Sequence, residues 1–209
     1  MLRGTRILTS RGAEPIESLS IGDLVVTTRG VKPIKWIGRQ HFTQGRSARW
    51  PDSVHPVRVR RSALADNVPH TDLYLSPRHA LLIDDVLIEV RDLINGVSIT
   101  RAAPEGMRDI EYFHIELETH EVILAEGAPV ETLLLTSGRE SFSNFVEYER
   151  LYGPDTYPAI TIAELDGYGG PFQLAAPSTV RSLASTTLAM DLVLSPASAL
   201  RTGPLYMRT

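Results

Sequence analysis

Apolar residues recur in short runs along the first 135 or so residues, and turn-forming residues separate these runs. Residues 6–9 (RILT), 73–75 (LYL) and 80–83 (ALLI) are three of the clearest. Runs of this length, bounded by glycine, proline or aspartate, are typical of β-strands. Asp84-Asp85 between two such runs predicts a two-residue hairpin turn. Many short strands at near-regular spacing predict a closed or folded-over all-β architecture.

One of the predicted strands needs a qualification, and a further pair is joined by a bend. Pro33 interrupts the run 31–37, and because proline has no N–H to donate, this run predicts an edge strand or a bent one. Residues 122–125 (VILA) and 130–135 (VETLLL) predict a pair of strands with a bend at Gly127.

The pattern changes after Thr136. Residues 140–151 have a weak helical periodicity, and prolines and glycines then interrupt the chain repeatedly before a stretch rich in serine, threonine and alanine at 178–190. We therefore predict one all-β domain at residues 1–136 and an appendage of loops and short helices, partly mobile, at residues 137–209.

Composition narrows the classes of function. The chain has 209 residues with a formal net charge of -4, which gives no reason to expect nucleic acid or an anionic membrane as a partner. No apolar run approaches the length of a membrane span. Cysteine is absent, so this chain contains no disulfide, no thiolate metal site and no cysteine nucleophile.

Three segments carry the candidate chemistry. Residues 4–9 (GTRILT) are followed by Gly22-Asp23, residues 76–79 read SPRH, and residues 111–120 read EYFHIELETH. In this order and at this spacing they resemble the conserved blocks of the Hint (hedgehog/intein) family, and they resemble bacterial stand-alone Hint domains more than splicing inteins. The resemblance covers about residues 1–136 and does not extend into the tail.

The resemblance implies a horseshoe-shaped, mostly antiparallel β domain that processes its own precursor. In this family, a cysteine, serine or threonine at the first position attacks the carbonyl of the preceding residue, and an ester or thioester replaces the amide. The substrate is the upstream segment of the same chain, and no cofactor is implied. Bacterial members often lie at the end of large exported or surface proteins, so an extracellular or cell-surface location is an expectation from the family alone.

The resemblance also implies roles for four residues. His79 stands at the position of the family's proton-donating histidine, and Ser76 at that of a threonine or serine that hydrogen-bonds near the scissile peptide. His114, or its neighbour Phe113, falls near a position that holds an acid, a cysteine or a histidine in relatives. His120 matches a histidine that assists the C-terminal step in inteins. Histidine suits proton transfer because its ordinary pKa of about 6.5 lies near neutral pH.

The chain departs from the family pattern at both ends of the block order. The family's nucleophile lies four residues before the glycine of Gly4-Thr5, so it would precede Met1, at residue zero. Inteins end in His-Asn, whereas the aligned residues are Glu131 and Thr132, so asparagine cyclisation, and with it splicing, is excluded there. Either the chain begins one residue late within a longer precursor that supplies a cysteine, or the domain is a natural degenerate.

Plainer explanations exist for each residue. In these explanations, His79 and Ser76 are turn residues, His114 is an outward-facing strand residue, and His120 stabilises a turn. A degenerate scaffold that displays its tail or docks on a partner is the main alternative function. A zinc site is a further alternative, built from histidines and an aspartate, although no pair stands at a standard ligand spacing. The candidates for that site are His55, His70, His79, His114, His120 and Asp72.

Overall fold

A computed structural model describes residues 1–45, 49–134 and 138–153. The strands in these ranges are β1 (Arg6–Thr9), β2 (Gly12–Pro15), β3 (Leu24–Thr27), β4 (Gly30–Pro33), β5 (Trp36–Thr43), β6 (Val57–Val59), β7 (Leu73–Leu75), β8 (Ala80–Ile83), β9 (Val86–Glu89), β10 (Ile99–Arg101), β11 (Asp109–Glu116), β12 (Val122–Ala125) and β13 (Ala128–Glu131). One α-helix follows, α1 (Phe145–Tyr152), and three short 3₁₀ turns cover Ile16–Ser18, Val90–Leu93 and Arg139–Ser141.

The strands form three antiparallel sheets. The largest has the order β2-β1-β3-β12-β13-β8-β9, with β4 added beside β3; a second has the order β10-β6-β7; and β5 pairs with β11 along eight residues. The buried side chains of these strands form the main core, which runs from Met1 and Ile7 to Val130. The fold is all-β, as the sequence predicts.

Two tight hairpins follow directly from the local sequence. Asp84 and Asp85 have φ of +47° and +62° and join β8 to β9, and Glu126 and Gly127 have φ of +50° and +79° and join β12 to β13. Positive φ at both central residues matches the right-handed twist of the flanking strands. The predicted turn at Asp84-Asp85 and the predicted bend at Gly127 are both confirmed.

Two predicted strands have different limits in the structure. The run 31–37 is split into β4 and β5, because Pro33 has no N–H and Lys35 turns away to donate its N–H to the Glu116 carbonyl, 2.9 Å away. The run 130–135 stops early: β13 ends at Glu131. The next two N–H groups leave the ladder, since Thr132 donates to Glu121 and Leu133 donates to Ile115.

The first residues are tied to β11 and β7. The backbone nitrogen of Met1 donates to the Phe113 carbonyl at 2.9 Å, and the Phe113 N–H donates back to the Met1 carbonyl at 2.8 Å. Leu2 donates to the Tyr74 carbonyl at 3.0 Å. The first residues are therefore fixed beside two strands: β7, which precedes His79, and β11, which contains His114.

Residues 138–153 pack on β5. Phe142 and Tyr148 meet the indole of Trp36 edge-on, with ring centroids 5.5 and 5.2 Å away. Arg139 forms a buried bidentate pair with Glu116, with N···O distances of 2.7 and 2.9 Å. The short helices expected in the appendage are present here, and its remaining part, residues 154–209, lies outside the described residues. In the part of the chain that is described, no helix is long and apolar enough to cross a membrane.

Candidate functional site

His79 lies at the end of a tight turn between β7 and β8. Its N–H donates to the Ser76 carbonyl at 3.0 Å, and Pro77 at the second position favours this turn by fixing φ. The His79 carbonyl accepts the N–H of Val90 at 2.9 Å, which holds the turn from the other side. The side chain is buried, at 1% exposure. The turn therefore presents one imidazole to the interior of the domain.

The hydrogen bond of the His79 ring fixes its tautomer. Nε2 lies 3.2 Å from the carbonyl oxygen of Glu131, and a carbonyl only accepts, so Nε2 carries the hydrogen. Burial, the neighbouring His114 and the amino group of Met1 hold the pKa of His79 well below its ordinary value of 6.5. The ring is therefore neutral at pH 7, and Nδ1, which is buried without a hydrogen-bond partner, carries a lone pair. That nitrogen can take up a proton.

His114 lies on β11 and packs against His79. The two ring centroids are 4.2 Å apart, with 31° between the planes. Burial, the amino group of Met1 and His120 lower the pKa of His114 to about 3, against a hydrogen bond to the backbone of Thr132 that raises it. Its Nε2 is buried without a hydrogen-bond partner. The residue is half-buried, and its ring packs against His79 with Nε2 shielded from solvent.

Phe142 covers the strand pair that carries His114. Gly38 is opposite His114 in the ladder of β5 and β11, and a Cβ placed on Gly38 would lie 2.6 Å from the Phe142 ring. The Phe142 and His114 rings are 6.4 Å apart, edge to face. A glycine is needed here because the aromatic ring rests directly on the backbone.

The backbone nitrogen of Met1 lies near enough to the two imidazoles to act on them electrostatically. Met1 is buried, at 1% exposure, and burial lowers the pKa of its amino group from 8.0 to about 5. Its charge is close enough to lower the pKa of both His79 and His114. The described structure thus fixes the chain's first nitrogen on the carbonyl of Phe113, the residue before His114, where its charge acts on both imidazoles.

His120 joins the group through Glu131. Its Nε2 lies 3.5 Å from Glu131 Oε2, and Glu131 Oε1 accepts the N–H of Ala80 at 2.8 Å. Next to it, Glu121 accepts hydrogen bonds from the side chains of Thr119 and Arg29, at 2.6 and 2.8 Å. His120 therefore lies in the chain directly before Glu121, whose side chain is fixed by hydrogen bonds, and contacts Glu131, whose carboxylate also accepts the N–H of Ala80.

Of the four residues expected from the sequence, the three histidines contact or influence one another, whereas Ser76 contributes to the turn. We call His79, His114 and His120 the histidine cluster. Ser76 is half-buried at the start of the turn and enters it through its carbonyl oxygen. Glu131 is the residue that the sequence prediction missed. In the sequence, Glu131 only aligns with the family's terminal His-Asn. Its contact with Ala80 joins residues 51 positions apart, and no local pattern reveals such a contact.

The buried imidazoles predict a pH-dependent stability. In the unfolded chain a histidine takes up a proton near pH 6.5, whereas folded His79 and His114 stay neutral well below that pH. The contribution of the two rings to the free energy of unfolding should therefore be complete above pH 6.5 and fall as the pH drops towards 5, by up to about 1.4 kcal/mol per pH unit for each ring. The amino group of Met1 acts in the same direction between pH 8 and its lowered pKa of about 5.

Urea unfolding at pH 5.2, 6.0 and 7.5, for the chain and for His114→Gln, measures this slope. The variant should show a visibly shallower fall, since one of the two rings is gone. Working above pH 5 avoids the titration of carboxylates. The pKa of Glu121, for example, is lowered overall: burial raises it, but hydrogen bonds from Thr119, Arg29 and Lys32 lower it more. Equal slopes for the two proteins would contradict the burial of a neutral His114.

Among the residues that the structure describes, no three His, Asp or Glu side chains are arranged to hold a metal ion. His79 Nε2 is bonded to the Glu131 carbonyl, and the His114 ring is hydrogen-bonded to the backbone of Thr132.

Comparisons with known proteins agree with this picture of the fold. The sequence matches the family model of the Hint domain over residues 1–137. Among solved structures, the chain is similar to the MchDnaB-1 intein (variant N145AA), with 14% identity, coverage of 64% of this chain and 100% of that one, and a TM-score of 0.47. It is also similar to a bacterial intein-like domain from Clostridium thermocellum, with 14% identity, coverage of 63% and 96%, and a TM-score of 0.44. No curated protein matched the sequence.

The Hint model spans more than half of the 209 residues, and the strands, hairpins and buried histidines described above lie within or directly beside the matched range. This chain belongs to the Hint domain family.

Proposed function

We propose that this domain cleaves the peptide bond at its own N-terminal boundary when a cysteine, serine or threonine directly precedes Met1. The observation that supports the proposal is the burial of the Met1 backbone nitrogen within electrostatic reach of His79 and His114, where it donates to the Phe113 carbonyl. Consecutive Cα atoms are only ~3.8 Å apart, so a residue before Met1 starts beside the histidine cluster.

The reaction is an acyl shift followed by hydrolysis. The sulfur or oxygen of residue zero attacks the carbonyl carbon of the residue before it, a C–S or C–O bond forms, and the C–N bond breaks. The proton of the thiol or hydroxyl ends on the departing nitrogen, which becomes a free amine. Water then attacks the ester or thioester, releases the upstream segment as a carboxylic acid and restores the nucleophile.

His79 is the proton carrier in this proposal. Its neutral Nδ1 first takes the proton from the nucleophile and then delivers it to the leaving nitrogen, which amide resonance otherwise makes a poor leaving group. We assign the Ser76 hydroxyl to positioning the scissile peptide from the same turn. His114 supports the ring of His79, and His120 assists the attack of water in the second step.

The second candidate function is a Hint scaffold that no longer cleaves and instead binds a partner or displays its tail. One observation favours it: the amino group of Met1 is fully buried, so the packed structure has to open to admit a residue before Met1. The same experiment separates the two functions.

The test is a precursor in which a small soluble reporter and a cysteine precede the full chain. We expect two fragments by gel and intact mass: the reporter ending in a carboxylate, and the chain beginning with cysteine. Added thiol should accelerate the release by intercepting the thioester. A precursor with alanine in place of that cysteine is the control and should stay intact.

A folded precursor that stays intact at neutral pH, with and without thiol, would contradict self-cleavage and favour the scaffold. Folding is checked by the dispersion of the amide NMR spectrum, so that a misfolded precursor is not mistaken for an inactive one.

A further inference from the structure

Glu131 touches three separate parts of the site. Its carbonyl oxygen is the partner of His79 Nε2 at 3.2 Å, its Oε1 accepts the N–H of Ala80 at 2.8 Å, and its Oε2 lies 3.5 Å from His120 Nε2. The carboxylate is 16% exposed. One residue thus contacts two members of the histidine cluster and the backbone that follows His79.

The Glu131 side chain adds to the contact between β8 and β13, because the backbone pairing of these two strands is short. Strands β8 and β13 are paired at a single register position, Val130 opposite Leu81. The bond from Ala80 to the Glu131 carboxylate continues that contact by one residue, towards the turn. It therefore closes the gap between the end of β13 and the turn that carries His79.

The Glu131 carbonyl determines which nitrogen of His79 is free. The bond to Nε2 holds the hydrogen there and leaves the lone pair on Nδ1. If the turn moved by about 1 Å relative to β13, this bond would lengthen beyond hydrogen-bond range and the ring would no longer prefer one tautomer.

We propose that Glu131 is the positioning residue of this site. Its carboxylate fastens the Ser76–His79 turn to β13, so that its own carbonyl keeps His79 in the tautomer whose Nδ1 accepts a proton. This inference rests on the proposed self-cleavage, in which that nitrogen moves the proton. Glu131 itself touches no reacting atom.

Two substitutions separate the hydrogen bond from the charge. Glu131→Gln keeps an oxygen that accepts the Ala80 N–H, whereas Glu131→Ala leaves that buried N–H unpaired. Glu126→Ala is the matched control. Glu126 lies in the β12–β13 hairpin, and its Oε1 accepts the N–H of Arg6 at 2.6 Å, a bond of the same kind that touches none of the three histidines.

Two readouts are measured. The first is the ¹⁵N NMR spectrum of the histidine rings in the full chain, where the His79 signals are assigned by their loss in His79→Gln. The second is the cleavage rate of the cysteine-containing precursor. Glu131→Gln should keep the Nε2–H tautomer of His79 and a rate within about threefold of the parent. Glu131→Ala should show mixed tautomers and a rate lower by about 10- to 100-fold, and Glu126→Ala should match the parent in both.

A parent-like His79 spectrum in Glu131→Ala would overturn the proposal. So would a Glu131→Gln protein that loses as much rate as Glu131→Ala, because the lost charge would then matter rather than the hydrogen bond. If the parent precursor does not cleave at all, self-cleavage fails, but the NMR spectra still decide whether Glu131 positions His79.

Discussion

Replacing His79 by alanine in the cysteine-containing precursor should lower the cleavage rate by about 10²- to 10⁴-fold, the range expected when a general acid–base is lost. The ring is neutral at pH 7, fully buried, and bonded through Nε2, so that Nδ1 alone is left to exchange a proton.

The measurement is the rate of fragment appearance by gel at pH 7. His79→Gln is a second variant, since the amide keeps an N–H for the Glu131 carbonyl but transfers no proton, and it should be as slow as His79→Ala while remaining folded. His41→Ala removes an exposed histidine on β5, 58% accessible, and should leave the rate unchanged. A precursor that loses less than threefold in both His79 variants would remove this residue from the mechanism.

The largest loss of stability is expected for Arg139→Met. Arg139 and Glu116 are buried, at 3% and 0% exposure, and the substitution leaves the carboxylate without its bidentate partner. Breaking a buried pair from one side costs about 3–5 kcal/mol, and Lys35, 3.6 Å from Glu116, keeps the expected loss near the lower figure. The melting temperature should fall by about 10 °C.

Urea and thermal unfolding check this value. Arg11→Met is the matched control, because Arg11 is 61% exposed and its bonds to Glu14 and Asp23 lie in water; it should be far less destabilising than Arg139→Met. The double variant Glu116→Leu with Arg139→Met should recover much of the loss, since no unpaired charge remains. If Arg139→Met cost no more than Arg11→Met, residues 138–153 would not be part of the folded unit.

Local sequence predicted the parts of the fold that local rules control. The runs at β1, β7, β8 and β12 appear at their predicted limits, and the hairpin at Asp84-Asp85 follows from turn chemistry. Other strands depend on distant partners. β2 (GAEP) has no apolar alternation and forms because the chain returns along β1 after the turn at Gly12. The second half of β5 is mostly polar and is a strand because β11, some 70 residues later, pairs with it.

In the candidate site, too, some features follow from the sequence and others depend on distant contacts. The order of the sequence blocks indicated His79, His114 and His120, but it did not show their surroundings. The packing of the His114 ring depends on Phe142 and on the contact with His79, and the importance of Glu131 depends on the pairing of β13 with β8. These are contacts between residues far apart in sequence, which periodicity does not encode.

Phe142 and Arg139 also bear on where this module should be cut. A gene fragment trimmed at the limit of family similarity, near residue 137, would lose both side chains, leave the Trp36 indole facing water and strip Glu116 of its guanidinium. Fusion proteins and crystallisation trials that require a stable minimal unit should therefore extend through Gly153, sixteen residues past the border drawn by homology.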